Sequence, residues 1–407
     1  MFNFVYTTYM MILKIYAVYF GIISLFAIFG RKKENVTDTK LRFAALIPAR
    51  NEEACIAGII KSLKAQDYPF DLIDIFVIPN NCVDNTATVA LKHGANIIEV
   101  PPTVKYKGGA LQFAIKKLMS EEKEYDVFLV FDADNVVSVN FVSAMNQTIC
   151  NGYRVAKSRI LAKNREDSWV ATCYEIHFCT ANIIINRART QAGLSARVVG
   201  TGFAVTASYL NELNGFNTVT ITEDAEFFAM CAINGEKIGF CENAITYDEQ
   251  TDSFIKSLIQ RKRWMSGIMQ VFTLKLKELV RSIFKKSRTK YAFDALMQLS
   301  FTYMQALIPF AFMLSIITAS NDYLVNVLPV SILRAYLYVL FLALLVLIVE
   351  KRLVLSKNVV IGLLLYPFFV LCFIPLQTIS LFKKTVKWTE IGHVGSHIND
   401  DSPTITH

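Results

Sequence analysis

Four apolar runs, at residues 12–29, 296–317, 328–349 and 359–382, constrain this chain before anything else does. Each is close to the ~20 residues that a helix needs to cross a bilayer. In hydrocarbon every backbone N–H and C=O must be paired within the chain, so runs of this kind fold as helices. With 53% hydrophobic residues in 407 and a mean hydropathy of +0.37, the chain is too apolar for an ordinary cytosolic enzyme. A membrane protein with one sizeable soluble domain fits these numbers.

The first run has no small-residue cleavage site and ends in Arg31-Lys32-Lys33, so it reads as an anchor. Those cations place the next segment on the cytoplasmic side. The expected organisation is an anchor over 1–30, a cytoplasmic domain over 31–250, amphipathic interface helices over 251–292, membrane segments over 293–383 and a tail over 384–407. Three C-terminal spans would put "KKTVKWTEIGH" outside the cell, whereas its lysines favour the inside; Pro367 and Pro375 would let the last run enter and return. The eight cysteines form no C-x-x-C pair and read as reduced, buried thiols. The net charge of +8 gathers at 256–290 and near membrane ends, which suits a lipid surface and not nucleic acid. Arg334 and Asp294 lie at segment ends where snorkelling suffices, and the spans carry no ion path of the kind a transporter needs. His393 and His397 have metal-ligand spacing, but Gly392 and Gly395 argue for a tail.

Between 41 and 134 short apolar runs alternate with helical stretches. Residues 41–48, 72–79, 96–100 and 125–132 predict strands; stretches beginning at Asn51, Asn85 and Lys107 predict helices. Such alternation gives an α/β domain with a mostly parallel sheet, whose ligands bind beyond the carboxyl ends of the strands. The polar residues fall there: residues 48–53 after the first strand, 80–85 after the second, 132–135 after the fourth. Asn51 and Asn85 also suit helix caps, as Thr222 suits a cap ahead of Glu223 and Asp224. Asp132 and Asp134 are harder to assign to capping, because two carboxylates ending an apolar strand are costly without a cation. A hard cation, Mg2+ or Mn2+, takes one or two carboxylates and completes its shell with phosphate oxygens and water. The pair therefore points to a nucleoside diphosphate held through a metal.

The stretch "SLIQRKRWMSG", 257–267, reads as a two-faced helix. At 100° per residue Phe254, Leu258, Met265, Ile268, Phe272 and Leu276 form a stripe suited to the membrane interface, with Gln260, Arg263, Trp264 and Gly267 opposite. Arg261 and Lys262 fall outside that second face and read as lipid or solvent contacts.

Taken in order, "IPARNEE", "KGGAL", "FDADN", "GTGFAV", "TED" and "QRKRW" resemble the membrane-integrated family 2 glycosyltransferases, which include hyaluronan, cellulose, chitin-oligosaccharide and poly-N-acetylglucosamine synthases. The likeness covers roughly 40–270. It implies a GT-A (Rossmann-like, nucleotide-sugar-binding) cytoplasmic domain plus α-helical transmembrane segments, and inverting transfer from a nucleotide sugar, UDP-linked as the first candidate. It implies Pro48, Ala49, Arg50, Glu52, Asn80, Asp84, Lys107, Asp132 and Arg263 around the nucleotide sugar, with Asp134 and Asp132 on the metal. It implies Asp224 as the catalytic base, and Gly200, Thr201, Gly202, Glu223, Gln260 and Trp264 around the acceptor. Asn80 departs from the aspartate usual there, which changes the donor and acceptor pattern offered to a base. The expected product is a growing polysaccharide, with an accessory export subunit or an oligomer allowed; the alternative is one sugar placed on a lipid. A transporter or silent scaffold is the remaining, weaker reading.

Overall fold

The computed structural model of the protein describes residues 2–28, 36–318 and 323–383. Arg31 to Lys33, and the tail with His393 and His397, lie outside the described residues.

After helix α1 (Phe2–Leu25) the strands are β1 (Phe43–Ala49), β2 (Ile73–Pro79), β3 (Asn96–Ile97), β4 (Val127–Val130), β5 (Val136–Val137), β6 (Val155–Ala162), β7 (Phe203–Thr206) and β8 (Ile238–Asp248). They form one sheet in the order β3-β2-β1-β4-β7-β6-β8-β5. The sheet is mixed. β1 pairs parallel with β2 and β4, and β2 with β3, as the alternation predicts, but β7 runs antiparallel to both β4 and β6. That reversal lies beyond residue 134, where the alternating pattern ends.

Helices α2 (Ile56–Lys64), α3 (Thr86–Lys92), α4 (Lys107–Leu118) and α5 (Phe141–Cys150) follow the first strands in turn. Helices α6 (Trp169–Thr180), α7 (Ala188–Gln191), α8 (Ala207–Glu212) and α9 (Glu223–Asn234) come next, with a π-helical turn Ala181–Arg187 joining α6 to α7. The sheet is covered on both faces, which is why its strands read as near-continuous apolar runs. Phe43, Ala45 and Ile47 pack against α2 and α5, whereas Ala44 and Leu46 pack against α4 and α9. Each fully buried Ile or Phe in these layers contributes about 1.5–3 kcal/mol.

Three expected caps are not made. Helix α2 starts at Ile56, five residues past Asn51, and Asn51 instead takes a left-handed φ of 54° with its side chain accepting from the Val83 N–H. Asn85 and Thr222 occupy cap positions, but neither side chain bonds its helix.

The C-terminal helices are α10 (Phe254–Ile283), α11 (Thr289–Ala306), α12 (Ile308–Thr318), α13 (Leu328–Val349), α14 (Lys357–Leu371) and α15 (Phe373–Phe382). Among the described residues three helical stretches are long and apolar enough to cross a membrane: 4–28, 323–349 and 357–382. A fourth would come from α11 and α12, which meet at a 42° bend. The link between α13 and α14, with the first turn of α14, is fixed to β6, α6 and the loop before α6: Glu350 pairs with Arg159, Arg352 with Glu175, and Asn358 donates to the Glu166 carbonyl at 2.8 Å. Removing one partner of such a buried pair typically costs about 3–5 kcal/mol.

Helix α10 corrects two expectations. Its Met265 and Ile268 are buried in the core with α9 and α11, so that part of the stripe faces protein; Leu276 of the same stripe is exposed, as are Ile255, Ile259, Leu274 and Val280. Arg261 is wholly buried, not in lipid or solvent: it donates to the Phe369 carbonyl at 2.7 Å and to the Ser257 hydroxyl, and lies 3.8 Å over the Phe369 ring. Asp294 likewise does not snorkel. It is buried in a pair with Arg189 at 3.2 Å and accepts from the Tyr19 hydroxyl of α1 at 2.9 Å. All eight cysteines are unpaired thiols.

Candidate active site

The cleft is built where β4, the residues before β7, α4, α9 and α10 converge. Strand β4 ends just before Asp132, and α4 opens with Lys107. Lys107 Nζ donates to Asp132 Oδ1 and to the Gly200 carbonyl, both at 2.6 Å, and lies 3.4 Å from Glu223 Oε1. Burial alone would lower the Lys107 pKa, but Asp132 and Glu223 outweigh it and keep the ammonium charged. Burial pushes Glu223 up to about 7 against the pull of Lys107, and the neighbouring Asp224 and Asp132 charges add to the rise.

Asp224, in the first turn of α9, is anchored by the Gly200 N–H, which donates to its Oδ2 at 2.7 Å. Gly200 and Gly202 both have positive φ, 37° and 63°, as tight turns require. Their roles differ. A Cβ on Gly202 would sit 2.2 Å from Thr246 Oγ1 and 2.3 Å from Ser158 Oγ, so that glycine serves sheet packing. A Cβ on Gly200 would meet only Asp132 Oδ2, at 3.6 Å, so this position faces the cleft. Thr201 bonds through its hydroxyl to the Asp132 N–H and to Asn135.

From α10 come three of the residues in "QRKRW". The Tyr174 hydroxyl of α6 donates to Gln260 Oε1 at 2.6 Å, and Trp264 packs edge-on against Tyr174 with ring centres 6.0 Å apart. Gly267 lets α10 approach the start of α9, since a Cβ there would stand 2.2 Å from Thr222 Cγ2. Arg263 faces the acidic cluster: burial lowers its pKa, while Glu223, Asp132 and Asp224 pull it back. No carboxylate among the described residues comes within ion-pairing distance of it.

The remaining candidates form a second group at the ends of β1 and β2. Arg50 Nε donates to the Asn80 carbonyl at 2.8 Å and its NH2 to the Lys105 carbonyl, and the Asn80 N–H donates to the Ala49 carbonyl. Pro48 precedes them on β1, in register with Ile78. The Glu52 N–H donates to the Thr86 hydroxyl. Both Asp84 oxygens hold this loop, accepting from the Glu53 N–H, the Thr86 N–H and the Thr86 hydroxyl. Although its burial works the other way, these donors lower the Asp84 pKa.

Asp134 is buried beside Asn135, whose Nδ2 bridges it to Asp248 at the end of β8. No group of three His, Cys, Asp or Glu side chains gathers among the described residues. Two carboxylates fit a hard cation that draws its other oxygens from a diphosphate and water.

Several cleft residues escaped sequence reasoning. Asp248 carried a usable signal, an acid ending an apolar strand like Asp132. Lys157 is buried behind Gly202, its Nζ 3.0 Å from the Ser158 carbonyl and 3.3 Å from the Gly202 carbonyl, and burial brings it down to about 7. A lone lysine within the apolar run 155–162 was its only trace.

The raised Glu223 pKa gives a first expected result. Between about pH 4.5 and 7 the folded chain holds a proton that the unfolded chain releases. Stability is therefore full below that window and falls as pH rises through it. In ligand-free protein Glu223→Gln should flatten this decline and raise the unfolding midpoint at pH 8; parallel pH profiles for variant and wild type would show that Glu223 does not titrate there.

A sheet of this order with strand-end carboxylates defines a GT-A glycosyltransferase fold, and comparisons agree. Over 94% of this chain and 100% of the other, the fold resembles a Pyrobaculum calidifontis mannosyltransferase solved with GDP-Man and Mn2+, at TM-score 0.60 and 14% identity. Residues 41–267 match the model of "Glycosyltransferase like family 2", and the chain belongs to that family. It is 26% identical to a probable glycosyltransferase, YdaM, of Bacillus subtilis, over 90% of each chain. It is 23% identical to a β-monoglucosyldiacylglycerol synthase of Synechocystis over 54% of this chain and 47% of the relative. Cellulose synthase 1 of Komagataeibacter xylinus is 23% identical over 56% of this chain, which spans only 15% of that relative.

Proposed function

We propose that this family 2 glycosyltransferase moves a hexose from a nucleoside diphosphate sugar, UDP-linked as first candidate, to an acceptor hydroxyl at the membrane face, with inversion. The observation that carries the reading is Asp224, fixed at 2.7 Å by the Gly200 N–H beside the Lys107–Asp132 pair. In this mechanism Asp224 takes the acceptor proton as the oxygen attacks the anomeric carbon from the face opposite the leaving diphosphate. Asp132 and Asp134 would hold Mg2+ or Mn2+, which when bound offsets charge on the diphosphate. Lys107 and Arg263 add cationic donors on that side, and Arg50, Asn80 and the Asp84 loop hold the nucleoside. Gly200, Glu223, Gln260 and Trp264 border the acceptor, with Thr201 and Gly202 shaping the turn behind Gly200.

A growing polysaccharide is the first reading of the acceptor, with cellulose synthase among the relatives. A lipid acceptor is the second, supported by a glycolipid synthase among the relatives. The three or four candidate spans among the described residues are few for a polymer conduit from one copy, so the polysaccharide reading brings an export partner or oligomer with it. The full-length protein in vesicles with Mn2+ should move label from one of a panel of nucleotide sugars into lipid-extractable or polymeric product. Absence of transfer from every donor overturns the reading.

Trp264 supplies a second expected result. If it floors the acceptor site, Trp264→Ala should lower the ratio of transfer to donor hydrolysis, because water replaces an unstacked sugar. Trp264→Phe keeps a ring and should retain most of the ratio. Since Trp264 also packs on Tyr174, the alanine variant should lose roughly 3 kcal/mol of stability as well, so the ratio and not the rate is the readout. An unchanged ratio would place the acceptor elsewhere. The proposed orientation, with the domain facing the cytoplasm, predicts that an impermeant thiol label leaves Cys82 unmodified in intact cells and reaches it after lysis. Labelling without lysis reverses that orientation.

A further inference from the structure

Arg197 is a cation in this cleft region that the mechanism above does not use. It lies three residues before Gly200, on the segment whose N–H anchors Asp224. Its own N–H donates to Asn186 Oδ1 at 2.9 Å, and its neighbours Ala196 and Val198 are buried in the core that also holds Leu299 of α11 and is flanked by Phe373. The backbone is therefore fixed. The guanidinium is not matched: its Nε is buried without a hydrogen-bond partner, and no carboxylate among the described residues lies within ion-pairing distance. The nearby Arg189 is already committed to Asp294. An unmet buried donor costs on the order of 1–3 kcal/mol, more when charged, so a protein keeping arginine here gains something by it when an anion is present.

Arg197 precedes the turn whose Gly200 N–H anchors Asp224, and burial lowers its pKa while the Asp224 and Asp294 carboxylates act against that. Burial first, then Arg261 and Arg197, bring His177 down to about 4, so the imidazole stacked on Phe373 is neutral. A planar guanidinium fork matches phosphate oxygens with two parallel bonds.

We propose that Arg197 binds a phosphoryl group carried by the acceptor, so that the acceptor is a hydroxyl-bearing phosphate ester presented beside Asp224. The proposal rests on the glycosyltransferase reading above and names its acceptor class. The phosphoryl group is a handle and does not react. The bond from the anomeric carbon to the acceptor hydroxyl oxygen forms, the bond to the donor diphosphate breaks, the hydroxyl proton passes to Asp224, and the nucleoside diphosphate leaves. The ester has two possible sources, a phospholipid headgroup or a soluble phosphate.

The test uses the full-length protein in phosphatidylcholine vesicles with Mn2+ and, in turn, UDP-glucose, UDP-N-acetylglucosamine and GDP-mannose. Three acceptors offer comparable hydroxyls: phosphatidylglycerol, diacylglycerol and glycerol 3-phosphate. A phosphate-bearing acceptor should be used at least ten-fold better than diacylglycerol, the lipid or the soluble one according to source. Arg197→Gln should erase that preference by raising acceptor KM, Arg197→Lys should restore part of it, and both should bind and slowly hydrolyse the donor as wild type does. Because the guanidinium lacks a partner in the free protein, Arg197→Gln should keep or raise the unfolding midpoint, which a structural arginine would not. Diacylglycerol used as well as either phosphate ester, or lost nucleotide affinity in Arg197→Gln, overturns the proposal. If wild type neither binds nor hydrolyses any donor, the donor reading fails and this proposal with it; intact donor hydrolysis with no transfer to either ester sinks this proposal alone.

Discussion

Asp224→Asn is expected to lower sugar transfer by on the order of 10^2–10^4-fold, the range that a positioned proton acceptor supplies. The amide oxygen can still accept from the Gly200 N–H, which holds the wild-type carboxylate at 2.7 Å, so the turn at 200–202 should keep its shape. Lys107, Asp132 and Arg263 are untouched, and nucleotide affinity should stay within about two-fold. A loss confined to kcat is the signature of an interaction made in the transition state. If nucleotide affinity falls as steeply as the rate, Asp224 belongs to the donor or cation side and the base must be sought elsewhere, with Glu223 the first candidate.

Asp134→Ala should behave differently. Asp134 is buried at the end of an apolar strand, beside an asparagine that bridges it to Asp248. If it holds a cation that offsets the diphosphate charge, its loss removes several kcal/mol from the transition state, on the order of 10^3-fold in rate. Donor affinity should fall together with kcat, unlike in Asp224→Asn, and excess Mn2+ should recover part of the loss only if Asp132 keeps residual binding. Turnover undiminished in excess chelator would remove the cation from the account altogether.

How far the sequence could be read depended on what each element packs against. The strand–helix alternation over 41–134 located β1, β2 and β4 to within two residues, because strands covered on both faces leave long apolar runs. The antiparallel β7 was missed, since it is only Phe203–Thr206 and follows glycines that look like a loop. The carboxylates Asp132 and Asp134 were legible through their cost: charge at the end of a buried strand calls for a partner. Arg261 was not legible. A helical wheel places it off the "QRKRW" face and therefore outside, yet its neighbours there are Phe369 and Phe373, more than a hundred residues along the chain. Met265 and Ile268 misled for the same reason, because an apolar stripe looks alike whether it meets lipid or the core between α9 and α11. Arg197 left no trace in the sequence, as its interest lies in the partner it lacks.

The most direct measurement is the anomeric configuration of the product, read by NMR from a donor of known α configuration before any rearrangement. A single displacement, with Asp224 drawing the proton from an oxygen that attacks opposite the diphosphate, requires a β-linked product. An α-linked product would mean retention, and with it a mechanism in which Asp224 as the sole base has no place.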